Sequence, residues 1–279
     1  MTLQNHLLSL FDEDQSGHRA TYERGPMNYI GCKFSGLEQI LPFLPVCSKW
    51  VDVFGGSGVM TLNRPRSKFE VYNDRHSGLT AFYKVLARDG GPKALKERVE
   101  LMPHSRELFY DYLKSWNKPE DDLERAARWY YLVQASVVGR CQQFGRDLKG
   151  SNSVSRKISE NVNLFPMIHD RFKNVLVENL DWRTCLKDFD SPDTVFYLDP
   201  PYWESDIYEC RMSKEDHIEM CGVIFNLEGF VALSGYANPV YDSFPWDGVH
   251  QIIMDDRVGS GNKKDNERVE WLWIKEAHT

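Results

Sequence analysis

Val195-Phe196-Tyr197-Leu198-Asp199-Pro200-Pro201-Tyr202 joins an unbroken apolar run to a turn carrying a carboxylate and an aromatic ring. Four consecutive apolar residues bounded by turn residues predict a strand buried on both faces. The two prolines fix the backbone and remove two N–H donors. The carboxyl end of this strand therefore offers carbonyl and carboxylate acceptors beside a flat ring. Such a place suits a planar molecule that bears an amino group. The simpler alternative is a strand ending in a Pro-Pro turn, with Tyr202 as ordinary core.

Similar runs lie on either side. Trp50-Val51-Asp52-Val53-Phe54 leads into a glycine cluster, Phe69-Glu70-Val71-Tyr72 into Asn73-Asp74, and Val175-Leu176-Val177 into Glu178-Asn179. Phe230-Val231-Ala232-Leu233 leads into Ser234-Gly235-Tyr236, and runs at Val249 to Met254 and Val269 to Lys275 close the chain. Helical stretches at Ser77 to Ala87 and Ser213 to Phe225 separate some of them. This alternation predicts an α/β fold with a doubly wound sheet. Residues 75–174 break the rhythm: Arg106 to Trp116 and Leu123 to Val138 read as helices, and the polar Gln142 to Ser155 follows. The expected organisation is a sheet domain made of 1–74 and 175–279, interrupted by a mainly helical insert at 75–174.

Composition narrows the class. A chain of 279 residues with a net charge of −7 is not basic over its whole surface, though a local basic patch remains possible in principle. Six scattered cysteines with no C-x-x-C spacing predict reduced thiols. No apolar run is long enough to span a membrane. Met1 to Asp14 lacks a basic region and ends in Asp12-Glu13-Asp14, unlike a signal peptide. A cytoplasmic protein without membrane contact, monomeric and free of metal, is the expectation; the eight histidines form no ligand or triad pattern.

Three further strand ends carry polar groups. Asp52-Val53-Phe54-Gly55-Gly56-Ser57-Gly58 lets the backbone approach a ligand closely, although a plain structural turn reads equally well. Asp74 follows Gly55 by nineteen residues and closes the second strand. It suits ribose hydroxyls or the start of the next helix. Asp181, in Asn179-Leu180-Asp181-Trp182, could meet an adenine amino group or be a loop carboxylate. Together with the Pro-Pro turn, these ends favour a nucleoside cofactor on the sheet edge, and methyl transfer from S-adenosylmethionine fits best.

At this point the chain resembles the Dam-like, alpha-group adenine-specific DNA methyltransferases common in phages and bacterial mobile elements. The likeness runs in order through Tyr29-Ile30-Gly31-Cys32-Lys33, Asp52 to Gly58, Val71 to Asp74, Asn179 to Trp182, Asp199 to Tyr202, Leu233 to Tyr236 and Arg268 to Ile274. Cys32 stands where the family often has glycine. The resemblance implies a Rossmann-like S-adenosylmethionine-dependent sheet and a target-recognition insert. It implies that Tyr29 and Lys33 close over the cofactor, with Asp52, Phe54, Gly55, Gly56 and Gly58 about its methionine part. Asp74 would hold the ribose and Asp181 the cofactor adenine. Asp199, Pro200 and Tyr202 would hold the target adenine, and S-adenosylhomocysteine would be the product.

Double-stranded DNA would meet the insert. From Arg140 to Lys173 there are seven basic residues against three acidic ones, an excess that the acidic whole lacks. Arg140, Gln142, Gln143, Arg146, Lys149, Arg156 and Lys157 are the candidate DNA contacts. The segment Arg140 to Gly145 follows the Dam recognition loop only loosely; GATC is the target that the resemblance offers. Competing readings are an RNA or protein-glutamine N-methyltransferase and an inactive DNA-binding relative.

Overall fold

The apolar runs become seven strands of one sheet: β1 (Lys49–Asp52), β2 (Phe69–Asn73), β3 (Leu176–Glu178), β4 (Thr194–Leu198), β5 (Phe230–Gly235), β6 (Gly248–Asp255) and β7 (Glu267–Lys275). The computed structural model describes residues 22–27, 29, 31–146, 153–202, 210–255 and 267–278. Strand order is β3-β2-β1-β4-β5-β7-β6. The first five pair in parallel, and β7 runs antiparallel to both β5 and β6. This is the mixed α/β sheet expected of a Rossmann-like methyltransferase. The order reverses between β1 and β4, and a ligand crevice forms beyond the strand ends at such a switch point. The glycine turn leaves β1 there, and Asp199 leaves β4 beside it.

Register assigns the faces. Val51 pairs with Val71 and Phe196, whereas Asp52 pairs with Tyr72 and Tyr197. Val51, Phe196, Leu198, Val231 and Leu233 pack under helices α9 (Trp182–Phe189) and α10 (Lys214–Ile224) on one side. Trp50, Tyr197, Ala232 and Leu272 build the opposite side, with α1 (Leu37–Ile40) against it. Tyr72, on that same side, joins a second core made with the helices between β2 and β3.

Those helices follow α2 (Val59–Asn63): α3 (Ser77–Ala87), α4 (Gly91–Glu100), α5 (Arg106–Leu113), α6 (Asp122–Ala135), α7 (Ser153–Asn161) and α8 (Phe165–Phe172). Asp121 caps α6 by accepting from the Glu124 N–H, and all residues from Trp129 to Ala135 are buried. A helix apolar on every side belongs inside a bundle. Sequence periodicity extends α6 to Val138, but the helix stops at Ala135. Ser136 turns extended and bridges to Phe144, while the Gly145 N–H donates to the Ala135 carbonyl at 2.7 Å. The chain after α6 therefore leaves the α-helix and closes a short loop that holds one 3₁₀ turn, Val137–Gly139. A short helix, α11 (Pro239–Asp242), follows β5.

One expectation about the insert needs correction. Arg171, counted in its basic excess, is buried and pairs in fork geometry with Glu70 on β2 at 2.6 and 2.8 Å. A guanidinium enclosed this way serves the interior and not a nucleic-acid surface.

Candidate active site

A cavity of ≈ 360 Å³ opens at the switch point between β1 and β4, and residues from every predicted cofactor motif line it. Its floor is the turn after β1. Gly56 and Gly58 have φ of 49° and 69°, a region that disfavours side chains. Gly55 is constrained by space instead: a Cβ there would stand 2.2 Å from the Tyr72 ring. Aromatic rings hold the turn from below. Tyr72 donates to the Gly56 carbonyl at 2.7 Å and Tyr83 to the Ser57 carbonyl at 2.5 Å. Phe172 of α8 packs against both rings, with centroids 5.7 and 4.5 Å away. The insert helices thus shape the glycine turn through these rings.

Asp74 closes β2 and meets the turn directly. Its Oδ2 accepts from the Gly56 N–H at 2.9 Å, and its Oδ1 from the His76 N–H at 2.7 Å. Asp74 is not the N-cap of α3, a place His76 takes by accepting from the Gly78 N–H; one Asp74 oxygen braces that cap, and each oxygen retains a second lone pair. Burial raises its pKa above the ordinary carboxylate value, against the lowering effect of these two N–H bonds. Asp181 lines the cavity but is already engaged. It caps α9 by accepting from the Arg183 N–H at 3.1 Å and pairs with Arg183 and Arg75 at 3.3 and 3.6 Å. Phe54 and Tyr29 line the cavity too, and Tyr29 lies over Gly56.

Asp52 is nearly enclosed. Its Oδ2 accepts from Thr61 at 2.9 Å, whereas Oδ1 has no hydrogen-bond partner among the described residues. Burial, opposed by the Thr61 bond and reinforced by Asp199 and Asp74, raises its pKa to about 7. An unsatisfied buried carboxylate oxygen is costly. At a cavity wall it invites a cationic or N–H group.

The second half of the site surrounds Asp199. Lys33, 2% exposed, donates to Asp199 Oδ1 at 2.5 Å and to the Tyr202 hydroxyl at 2.5 Å, and its ammonium stands 3.2 Å from Glu270. Ser234 on β5 donates to the same Asp199 Oδ1 at 3.2 Å. Burial raises the Asp199 pKa to about 6; Lys33 opposes the rise and Glu270 adds to it. Asp199 and Pro201 line the cavity and Pro200 is buried next to them. Tyr202 packs edge-on against Tyr236 with centroids 4.6 Å apart, and its hydroxyl donates to Glu270 at 2.8 Å. Lys33 lines the same cavity, with its ammonium on Asp199.

At the mouth, Gly139, Arg140 and Cys141 bring the loop after α6 onto the cavity wall. Cys141 has a φ of 52°, and the Val137 N–H donates to the Gln143 carbonyl at 3.0 Å. These bonds present Arg140, Gln142, Gln143 and Arg146 outward, all exposed. Phe144 anchors the loop by stacking on His104 at 4.4 Å. Arg156 and Lys157 are exposed on a different element, α7, where Arg156 pairs with Glu160 at 3.7 Å. Lys149 lies outside the described residues.

A family model described as D12 class N6 adenine-specific DNA methyltransferase matches residues 29–220. The chain belongs to this family. Among its relatives is a type II methyltransferase of Paramecium bursaria Chlorella virus NC1A, 25% identical over 203 residues, which cover 70% of this chain and 75% of that protein. The DNA adenine methylase of Escherichia coli is 26% identical over 47% of this chain and 46% of its own length. The DNA N-6-adenine-methyltransferase of Escherichia phage P1 is 31% identical over 40% of this chain, but the match takes in only 15% of the phage protein. Several residues in and around the cavity were given no role by the sequence reading. Asn73 ties three strand ends together, donating to the Val53 carbonyl at 2.8 Å and accepting from the Leu180 N–H at 2.8 Å. Arg75 and Arg183 hold Asp181, and Glu270 lies in an apolar strand row that gives no catalytic signal. Among the described residues no helix is long and apolar enough to cross a membrane, and no group of three or more His, Cys, Asp or Glu could hold a metal ion.

Proposed function

We propose that this D12 methyltransferase binds S-adenosylmethionine in the inner cavity and methylates N6 of an adenine that has left the duplex and rests on Asp199. The observation that carries this reading is the convergence of two half-sites on one cavity: the glycine turn with Asp74, and the Asp199 acceptor on the adjacent strand. The residues present fit the cofactor. A sulfonium and an ammonium group make it cationic at one end, and the orphaned Asp52 Oδ1 is an acceptor for such a group. The turn presents bare backbone to the cavity, and Gly55 and Gly58 could not carry a Cβ without striking the Tyr72 and Tyr83 side chains. Asp74 retains acceptor capacity for ribose hydroxyls.

S-adenosylmethionine, when bound, supplies an electrophilic methyl group and leaves as S-adenosylhomocysteine. The chain's own residues make the amine ready. The N6 lone pair of adenine is delocalised into the ring. The Asp199 carboxylate and the Pro200 carbonyl accept its two N–H bonds and draw the nitrogen towards a tetrahedral form. Lys33 and Ser234 both occupy Oδ1, which leaves Oδ2 for the amine. Fixed acceptors stabilise the positive charge that develops on nitrogen, and alignment supplies a further share of the rate. A base enters such a pocket only after extrusion from the helix.

Incubation with methyl-labelled cofactor and DNA, RNA or protein tests the substrate class. Label recovered as N6-methyladenine from DNA is the expected result; label in RNA or in glutamine would overturn it. Sequencing methylated DNA from an expressing host reads the target, for which GATC is the expectation.

Two variants probe the half-sites separately. Asp74→Ala removes two hydrogen-bond acceptors and should weaken S-adenosylhomocysteine binding by roughly 10- to 100-fold, measured by calorimetry, at about 1.5–3 kcal/mol for bonds to a charged group. The loop after α6 is proposed as the DNA-reading part of the 75–174 insert. Gln142→Ala with Gln143→Ala should leave cofactor affinity unchanged. Discrimination against altered target sites should fall by about 1–3 kcal/mol per lost base contact, read as kcat/KM on matched and mismatched duplexes. Arg140→Ala should weaken all DNA sequences alike and flatten the salt dependence of binding.

A further inference from the structure

Glu270 belongs to no motif role assigned above and lies outside the span of the family match. It stands on β7 in a row with Leu272 and Ile274, all of them buried, and faces Ile252 across the β6–β7 ladder. A carboxylate in an apolar row is expensive unless it is paired. Here the pairing points at the reaction centre: Glu270 accepts from the Tyr202 hydroxyl at 2.8 Å and stands 3.2 Å from the Lys33 ammonium. Lys33 in turn donates to Asp199. One ammonium is thus shared by two carboxylates, and the buried group carries a net negative charge when both are ionised.

We infer that Glu270 is a positioning residue for methyl transfer: it holds Lys33 on Oδ1 of Asp199 and locks the Tyr202 ring, so that the target amine meets Oδ2 in a fixed direction. The inference rests on the reading that Asp199 accepts the target amine. A single lysine bound only to Asp199 would be free to swing across both oxygens and block the acceptor. The second carboxylate pulls the ammonium to one side. It also offsets the lysine's charge, which otherwise opposes the positive charge growing on the substrate nitrogen. Charged and titratable groups about Asp199 come from every neighbouring element: Lys33 from the turn before α1, Asp52 from β1, Tyr197 from β4, Tyr202 after β4, Tyr241 from α11 and Glu270 from β7. Glu270 raises the Asp199 pKa. Its neutralisation should therefore let Asp199 ionise at lower pH.

The test is Glu270→Gln in the full chain, assayed by single-turnover methyl transfer across pH. The expected result is a rate lower by roughly 10- to 100-fold, the scale of a small misalignment. KM for DNA and the dissociation constant for S-adenosylhomocysteine should stay unchanged, and the acid limb of the rate profile should move to lower pH. A purely structural role would lower the melting temperature but leave both the rate per folded molecule and the acid limb in place; that outcome overturns the inference. If Glu270→Gln yields no folded protein, Glu270→Asp carries the test. It keeps the charge and shortens the reach, so the acid limb should stay at its wild-type position while the rate falls; a wild-type rate overturns the inference. Asp199→Asn run alongside separates the two levels. Wild-type turnover in that variant would sink the reading of the amine site itself. An inactive Asp199→Asn beside a fully active, folded Glu270→Gln would remove only the role of Glu270.

Discussion

Asp199→Ala should abolish methyl transfer, with a fall of roughly 10³–10⁴-fold in the single-turnover rate, the range seen when a positioned proton or charge partner is removed from a site. The size follows from what the residue does alone. It is the carboxylate of the turn after β4, and among the described residues its side chain accepts from Lys33 and Ser234, both at Oδ1. Removing it deletes the only side-chain acceptor proposed for the target amine. The glycine turn and Asp74 are untouched, so cofactor binding should persist near wild-type strength. Lys33 keeps Glu270 and the Tyr202 hydroxyl as partners, so the fold should survive. The wild-type enzyme should also show an acid limb. The carboxylate is the active form, and burial raises its pKa to about 6. Activity should therefore be lost as pH falls through about 6, not near the ordinary value of about 4. In Asp199→Asn the neutral amide no longer titrates, and the small residual rate should lose that limb. A variant that turns over at the wild-type rate would refute the assignment.

The strand ends were legible because they combine two independent signals: an apolar run that must be buried and a polar residue immediately after it. Asp74 and Asp199 stand out on that ground and Asp52 as a carboxylate inside such a run, and the structure brings all three to one cavity. Partners distant in sequence were not legible. Glu270 reaches Tyr202 across 68 positions, and its neighbours on β7 read simply as a hydrophobic strand. Asp181 read as a ligand group or a loop carboxylate because helix α9 was not recognised; the structure makes it the cap of that helix, paired with two arginines, at the cavity wall. Helix α4 was missed for a local reason. It begins after Gly90, whose φ is 74°, with Gly91 and Pro92 at its start, and only Gly91, Leu95 and Val99 are buried along it. A narrow apolar stripe behind two glycines reads as a loop.

The same distance effect explains the largest stability prediction. Glu70→Ala should destabilise the protein by about 3–5 kcal/mol, the cost of leaving a buried charge without its partner. Glu70 is 3% exposed and accepts from both terminal nitrogens of Arg171, from the Ser67 N–H at 3.1 Å and from Arg64 at 3.4 Å. Arg171 is 7% exposed, and its Nε already lacks a partner among the described residues. Arg64 has other support, lying 4.2 Å over the Trp50 ring and donating to Ser67 at 3.0 Å. The stranded cation is therefore mainly Arg171. Its helix, α8, also carries Phe172, which backs the Tyr72 and Tyr83 rings beneath the glycine turn. Loss of Glu70 should first loosen the seam between β2 and α8, and the melting temperature should drop by roughly 6–20 °C for a chain of this size. Combining it with Arg171→Met removes the stranded charge, so the double variant should be more stable than the sum of the two single effects. Denaturant midpoints for the four proteins measure that coupling. A single-variant cost below 1 kcal/mol would mean that water reaches Arg171. At low temperature, where Glu70→Ala stays folded, its methyl-transfer rate per folded molecule should match wild type, because Glu70 does not touch the cavity that holds Asp199 and Asp74.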